Sequence, residues 1–223
     1  MSRDFEWPEF LFLLGALRWT VVLSIVAFAG GSIGGLILAV ARTSSYRAIR
    51  WIARGYIGLI QGTPLLMQLF LAYYGLAVLT GLRLDPWPAV TLAFTLYAAA
   101  FLGEIWRGAI QAIPRQQWEA AAALPLAPAA QLRYVILPQA FRIAIPPTVG
   151  FLVQLIKGTS IASIIGFIEL TRAGQLIVNV TFQPMIVYPV VAVLYFILCY
   201  PISLAALRLE RRIDADLGIA QHR

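Results

Sequence analysis

The sequence predicts an all-α integral membrane protein: five transmembrane helices, an amino terminus outside, a carboxyl terminus in the cytoplasm, and a helix-elbow-helix cytoplasmic coupling loop. Three observations lead there. Of the 223 residues, 61% are hydrophobic and 12% charged, against about 25% charged in soluble globular domains. The mean hydropathy is +0.81, and the apolar residues gather into runs close to the roughly 20 residues that cross a bilayer. The basic residues fall between those runs in an alternating pattern, which sets a topology.

Taken in order, residues 19–41 form the first span. They carry Gly30, Gly31, Gly34 and Gly35, two overlapping pairs of small residues four apart that let another helix approach closely. Arg42, Arg47, Arg50 and Arg54 follow, and Ile49, Ile52, Ala53, Tyr56 and Ile60 recur at helical spacing among them, the pattern of an interfacial helix. Gly62-Thr63-Pro64 breaks it, and residues 64–80 form the second span. Residues 88–110 form the third, residues 146–168 the fourth and residues 188–207 the fifth. Between the last two, residues 169–187 read as a connector with Leu170, Ala173, Leu176, Ile177 and Val180 on one helical face.

Arginines cluster after spans one, three and five (Arg208, Arg211 and Arg212 after the last) and are sparse after two and four. The positive-inside rule therefore places the 111–145 loop and the carboxyl terminus in the cytoplasm. Arg3 stands against Asp4, Glu6 and Glu9 at the amino terminus, the wrong charge for a signal peptide. The net charge of +7 is explained by topology better than by nucleic acid.

The loop reads EAAAALPLAPAAQLRYVILP from Glu119 to Pro138. Pro114 opens an alanine-rich helix, which Pro125 ends because proline lacks the amide hydrogen and clashes with the preceding turn. Pro128 starts a second short helix, with Leu132, Val135 and Ile136 on one face, expected to end before Pro138.

This stretch resembles the EAA loop of permease subunits of ATP-binding-cassette importers. The segments QGTPLLMQLFLAYYGL (61–76), GEIWRGAIQAIP (103–114), QAFRIAIPP (139–147) and KGTSIASIIGFIELTR (157–172) are similar, in collinear order, to the polar amino-acid branch of that family. The chain departs from it at Pro125, where the family usually has glycine. The resemblance implies the permease subunit of an ATP-driven importer for polar or charged amino acids in the bacterial cytoplasmic (inner) membrane. It implies as partners two ATPase subunits that bind ATP and magnesium, a second permease chain, like or unlike, and an extracytoplasmic amino-acid-binding protein. It also implies that Glu119, Ala120, Ala121, Leu124, Pro125 and Leu126 seat the loop in the ATPase.

The residues themselves offer no paired carboxylates, ligand cluster or nucleophile triad. His222 lies in the tail, Cys199 alone in an apolar run, and Lys157-Gly158-Thr159 has phosphate-loop residues in the wrong order. A non-catalytic chain with no cofactor of its own is therefore expected, and an intramembrane enzyme is disfavoured. A self-sufficient secondary transporter is disfavoured too, because the odd number of spans holds no inverted repeat.

Within the membrane, Lys157 is the only lysine. A lone cation at mid-bilayer costs about 2.5–3.5 kcal/mol on insertion scales, so it should face protein or water. With Gly158, Thr159 and Ser160 it marks a loosened helix that lines a path, the alternative being a structural hydrogen-bond cluster. Glu104 is spaced to pair with Arg107, a structural role favoured over a substrate contact. Gln61, Thr63 and Gln68 flank the second break and either line the path or cap helix ends.

Overall fold

The computed structural model describes residues 4–81 and 85–216, and among these it holds helices and no strand. In order they are α1 (Trp7–Thr43), α2 (Arg47–Gly62), α3 (Leu65–Phe70), α4 (Leu76–Thr80), α5 (Pro86–Gln111), α6 (Arg115–Ala122), α7 (Pro128–Gln131), α8 (Leu137–Gly158), α9 (Leu170–Thr181) and α10 (Pro184–Asp216). Wide π turns join α3 to α4 (Leu71–Gly75) and α7 to α8 (Leu132–Ile136), and a 3-10 turn (Thr159–Ile165) extends α8 towards α9. Among the described residues four runs are long and apolar enough to cross a membrane: α1, α5, 128–165 and α10. The bent pair Arg47–Gly62 and Leu65–Leu79, whose halves meet at 103°, passes the same test only when the two are taken together as one span.

The α1–α5 pair is the axis of the bundle. The two helices run parallel, since Trp19 meets Trp87, Gly30 meets Thr95, Gly34 meets Ala99 and Arg42 meets Glu104. Their separation is set by missing side chains. A Cβ on Gly31 would lie 2.3 Å from the Ala98 Cβ, and one on Gly35 would lie 3.0 Å from the Gly103 backbone nitrogen. A Cβ on Gly103 would in turn lie 3.1 Å from the Gly35 carbonyl oxygen. The glycine pairs expected to admit a neighbour do so, and the neighbour answers with Ala98, Ala99 and Gly103.

Two cores stack along this axis. The larger joins Leu23 and Ala27 of α1, Val90, Phe94, Ala98 and Leu102 of α5, and Phe151 and Leu155 of α8, with Phe167 closing one end. The smaller lies towards the Trp7 end, where Leu13 and Ala16 meet Leu170, Ala173 and Ile177 of α9 and Val187, Val191 and Leu194 of α10. The Gln183 side chain closes this end, accepting from the Phe5 amide at 3.1 Å and donating to Asp4 at 2.8 Å.

The apolar stripe read over Ile49–Ile60 lies along α2, which meets α3 at a sharp bend: Ile57 and Ile60 pack on Ala100, and the Tyr56 hydroxyl donates to the Leu96 carbonyl at 2.9 Å. The approach to span four differs from the sequence expectation. The second loop helix does not stop before Pro138. The π turn over Leu132–Ile136 widens the hydrogen-bond register just ahead of Pro138, where proline can donate nothing, and the chain runs on into α8. Pro146 and Pro147, expected at the start of span four, lie inside that helix.

The tight approach predicts an asymmetry among glycines. Gly31→Ala should lower the midpoint of thermal unfolding in detergent by several degrees, since overpacking costs about 1–3 kcal/mol. Gly15→Ala, with nothing within 4 Å of its Cβ, should leave it level or raise it through helix propensity. Equal effects would show that the seam tolerates a methyl group.

Candidate functional site

Two helix breaks meet at the edge of the larger core. In the first, α2 ends at Gly62 and α3 starts at Leu65, with Thr63 and Pro64 extended between them. The carbonyls freed there are taken up locally. The Thr63 hydroxyl donates to Leu59 at 2.8 Å, and the Gln68 amide reaches back to the Ile60 carbonyl at 2.7 Å and to Thr63 at 3.0 Å. Gln68 thus caps the broken end, while its Oε1 is buried with no partner. Gln61 is exposed on the same side of the break.

In the second break, α8 ends at Gly158 and tightens into the 3-10 turn. Thr159 and Ser160 donate to the carbonyls of Ile156 and Lys157 at 2.7 and 2.8 Å, serving the loosened backbone. A Cβ on Gly158 would lie 3.8 Å from Phe94 and 3.9 Å from Leu65, the first residue of α3. The two predicted groups therefore stand side by side, at the depth of Phe94, between Trp87 and Arg107 on α5. Thr159 is buried, whereas Lys157 is exposed on the isolated chain and its side chain makes no hydrogen bond or ion pair among the described residues.

Glu104 does not join this site. It lies further along α5, ion-paired with Arg107 and 3.8 Å from Arg42 of α1, so it fastens the Arg42 end of the central pair.

The 111–145 loop is organised separately. Helix α6 ends at Ala122, and Ala123 and Leu124 close its last turn by donating to Glu119 and Ala121. Glu119 accepts from Arg115 at 3.0 Å, with both side chains largely exposed. Ala120, Leu124, Pro125 and Leu126 are exposed, and Trp118 stands beside them with 40% of its surface free. Ala121 departs from this group: it is buried and helps join α6 to the following turn, so it contributes nothing to the exposed surface.

One group of residues carried no sequence signal beyond an acid set in an apolar run. Glu169, at the N-cap of α9, is completely buried. Its carboxylate accepts from the Thr171 amide at 2.9 Å, the Arg172 amide at 2.8 Å and the Tyr195 hydroxyl at 2.7 Å. Burial pushes the carboxyl above its usual range, and those donors pull it back. Next to it, the Leu170 amide donates to Thr20 of α1 at 3.2 Å. At the same level lies an open cleft of about 560 Å³ lined by Trp19, Asp85, Trp87, Phe167 and Ile168, with Trp87 stacked on Phe167 at 5.3 Å.

The chain is similar to known proteins over most of its length. Residues 31–215 match the family described as binding-protein-dependent transport system inner membrane component. The L-cystine transport system permease protein TcyB of Bacillus subtilis is 41% identical over 93% of this chain and 88% of its own length. The glutamine transport system permease protein GlnP of Escherichia coli is 36% identical over 93% and 95%. Among solved structures, a chain of an amino acid ABC transporter with histidines superposes with a TM-score of 0.86 at 32% identity, covering 94% of this chain and 100% of that one. The MetNI methionine ABC transporter in an inward facing conformation shares the fold, with a TM-score of 0.77 at 22% identity over 94% and 99%. The match takes in both broken helices and the exposed loop, and the chain belongs to the family of binding-protein-dependent transport system inner membrane components.

Proposed function

We propose that this permease carries polar or charged amino acids inward, and that its path runs past the paired breaks at Thr63–Pro64 and Gly158–Thr159. The exposure of Lys157 is the observation behind this. An ammonium group at that depth is tolerated only against protein or water, not lipid, and the Lys157 face is open on the single chain. A second permease copy covering that face would enclose a wet path lined by Lys157, Ser160 and Gln61, with the free Gln68 Oε1 behind it as an acceptor. Thr159 and Thr63 then serve the backbone of the breaks. Lys157 suits a substrate carboxylate, and the relatives named for cystine and glutamine transport fit a substrate of this class.

Charge sets the direction. The Arg42, Arg107 and Arg208 end faces the cytoplasm, which puts the amino terminus, α9 and the α9–α10 turn outside. The exposed Leu124-Pro125-Leu126 corner and Ala120 then form the cytoplasmic contact with an ATPase subunit. Two such subunits bind ATP and magnesium and hydrolyse it, and this chain binds no cofactor. A loaded binding protein docks on the surface formed by α9 and its turn.

Three measurements test the separate parts. Lys157→Met should assemble normally yet lower uptake by roughly 10–100-fold, the loss of a charge-assisted hydrogen bond of about 1.5–3 kcal/mol; unchanged uptake removes Lys157 from the path. Glu119→Lys breaks only an exposed pair, which adds little to stability. It should leave the permease folded while lowering co-purification of the ATPase or its stimulated hydrolysis, and wild-type coupling would exclude Glu119 from the contact. Cysteines placed at exposed positions of 169–187 should cross-link to the binding protein and never to the ATPase; the reverse would invert the topology.

A further inference from the structure

Helix α2 carries more positive charge than its surroundings use. Arg47, Arg50 and Arg54 lie on it, Arg42 lies just ahead of it, and no acidic residue stands between Glu9 and Asp85. Two of the four are occupied. Arg42 lies 3.8 Å from Glu104, which also pairs with Arg107. Arg50 donates to the Ser44 and Ser45 carbonyls at 2.6 and 2.8 Å, closing the corner between α1 and α2. Arg47 and Arg54 are exposed, and among the described residues their side chains make no hydrogen bond or ion pair.

These charges are sorted around the helix. At 3.6 residues per turn, Ala53, Ile57 and Ile60 form one row, and all three are buried. Ile49, Ile52 and Leu59 form a second row, 42%, 74% and 64% exposed. Arg47, Trp51 and Arg54 form a third, with the Arg54 guanidinium 5.4 Å from the centre of the Trp51 ring. One face therefore meets protein, one meets hydrocarbon and one meets a polar boundary. Tyr46 and Trp51, both exposed, are the amphipathic rings that settle at such a boundary.

The positive-inside rule asks for basic residues in this segment and nothing more. It does not sort them onto one face beside an exposed apolar row. That pairing fits a lipid, with acyl chains against Ile52 and Leu59 and the headgroup against the arginines. Guanidinium matches phosphate geometry with two parallel hydrogen bonds. A net negative headgroup is favoured, because no acid of this segment offsets the arginines and the cytoplasmic leaflet is the anionic one.

We propose that the Arg47–Trp51–Arg54 face of α2 binds the headgroups of anionic phospholipids, and that this hold keeps the Thr63–Pro64 break at its depth in the membrane. The choice of leaflet rests on the reading that the Arg42 end faces the cytoplasm. Helix α2 is tied to its neighbours by Arg50 near its start and in its middle by the Tyr56 hydroxyl, 2.9 Å from the Leu96 carbonyl. Its other end carries Gln61 and Gly62 into the break, so a hold on its polar face is passed along the helix to the path.

The test uses the complete complex. In detergent it is titrated with phosphatidylglycerol or phosphatidylcholine, and retained lipid is counted by native mass spectrometry. Uptake of whichever of L-cystine, L-glutamine or L-histidine the unmutated complex carries is measured in vesicles of phosphatidylcholine, alone or mixed with phosphatidylglycerol. The variant is Arg47→Gln with Arg54→Gln, since glutamine matches arginine in helix propensity. Arg208→Gln with Arg211→Gln removes the same charge from the same end of the molecule as a control. The unmutated complex should retain phosphatidylglycerol over phosphatidylcholine. The α2 variant should lose that affinity by at least about fivefold per arginine, and its uptake should no longer rise with phosphatidylglycerol, while the control keeps both.

Equal retention of the two lipids by the unmutated complex overturns the site, as does equal loss in the variant and the control. Loss of the ATPase subunits from the α2 variant assigns the face to them and overturns the lipid. Lost retention with unchanged uptake keeps the site and overturns its hold on the break. Should the double variant fail to insert, Arg54→Gln alone is read against the same fivefold. Retention in detergent does not depend on which leaflet the face meets, so cross-links that reversed the topology would leave that result standing.

Discussion

Everything in this chain is arranged around the absence of side chains between α1 and α5. In lipid no hydrophobic effect pulls helices together, so association depends on van der Waals contact and on how closely backbones approach. Gly31 and Gly35 against Ala98 and Gly103 bring the two helices to backbone contact. The Glu104 carboxylate between Arg42 and Arg107 fastens one end of the pair, and the Trp19–Trp87 ring contact at 5.7 Å marks the other. Helix α8 packs on α5 through Phe101 and Phe151, stacked 5.5 Å apart, and α2 packs through Tyr56. The breaks in α2–α3 and α8 are held beside each other because both flank the same stretch of α5.

That arrangement also explains why irregular backbone is tolerated at this depth. Unsatisfied amides and carbonyls in hydrocarbon are costly, so broken helices survive only where protein or water replaces the lost bonds. Here Gln68, Thr63, Thr159 and Ser160 do the replacing with their own side chains. The residues nearest the breaks are therefore polar for a local reason before they have any role toward a solute. Lys157 is the exception, since it serves no backbone group.

How much was legible in the sequence follows from how local each cause is. The glycine pairs of α1 could be read because small residues four apart mean one thing in an apolar helix. The end of α6 could be read from the alanine run stopped by Pro125. The passage through Pro138 could not, because a π turn is a shift in hydrogen-bond register that leaves no residue signature. The α2 segment was legible only in part: its arginines and apolar stripe suit an interfacial helix, and only Ala100, forty residues on, shows which protein surface the stripe packs on. Both partners of the second break were visible, but not that Lys157 would be exposed while Thr159 was buried. Glu169 was hidden furthest, since its meaning depends on Tyr195 and Thr20, one on each side of it in the chain and both distant.

Helix α1 is both long and uninterrupted: 37 residues run unbroken from Trp7 to Thr43, whereas α8 and α10 contain internal prolines and α2–α3 is bent. At about 1.5 Å per residue it is a rod of roughly 55 Å, gripped by α5 over its Arg42 half and by α9 and α10 over its Trp7 half. A rigid rod held at two places acts as a beam with a fulcrum between them. A tilt of about 5° about its middle displaces each end by about 2 Å in opposite directions, given that length. Helices α9 and α10 and the Arg42 end are thus geared to each other mechanically, in fixed proportion, whatever the broken helices beside them do.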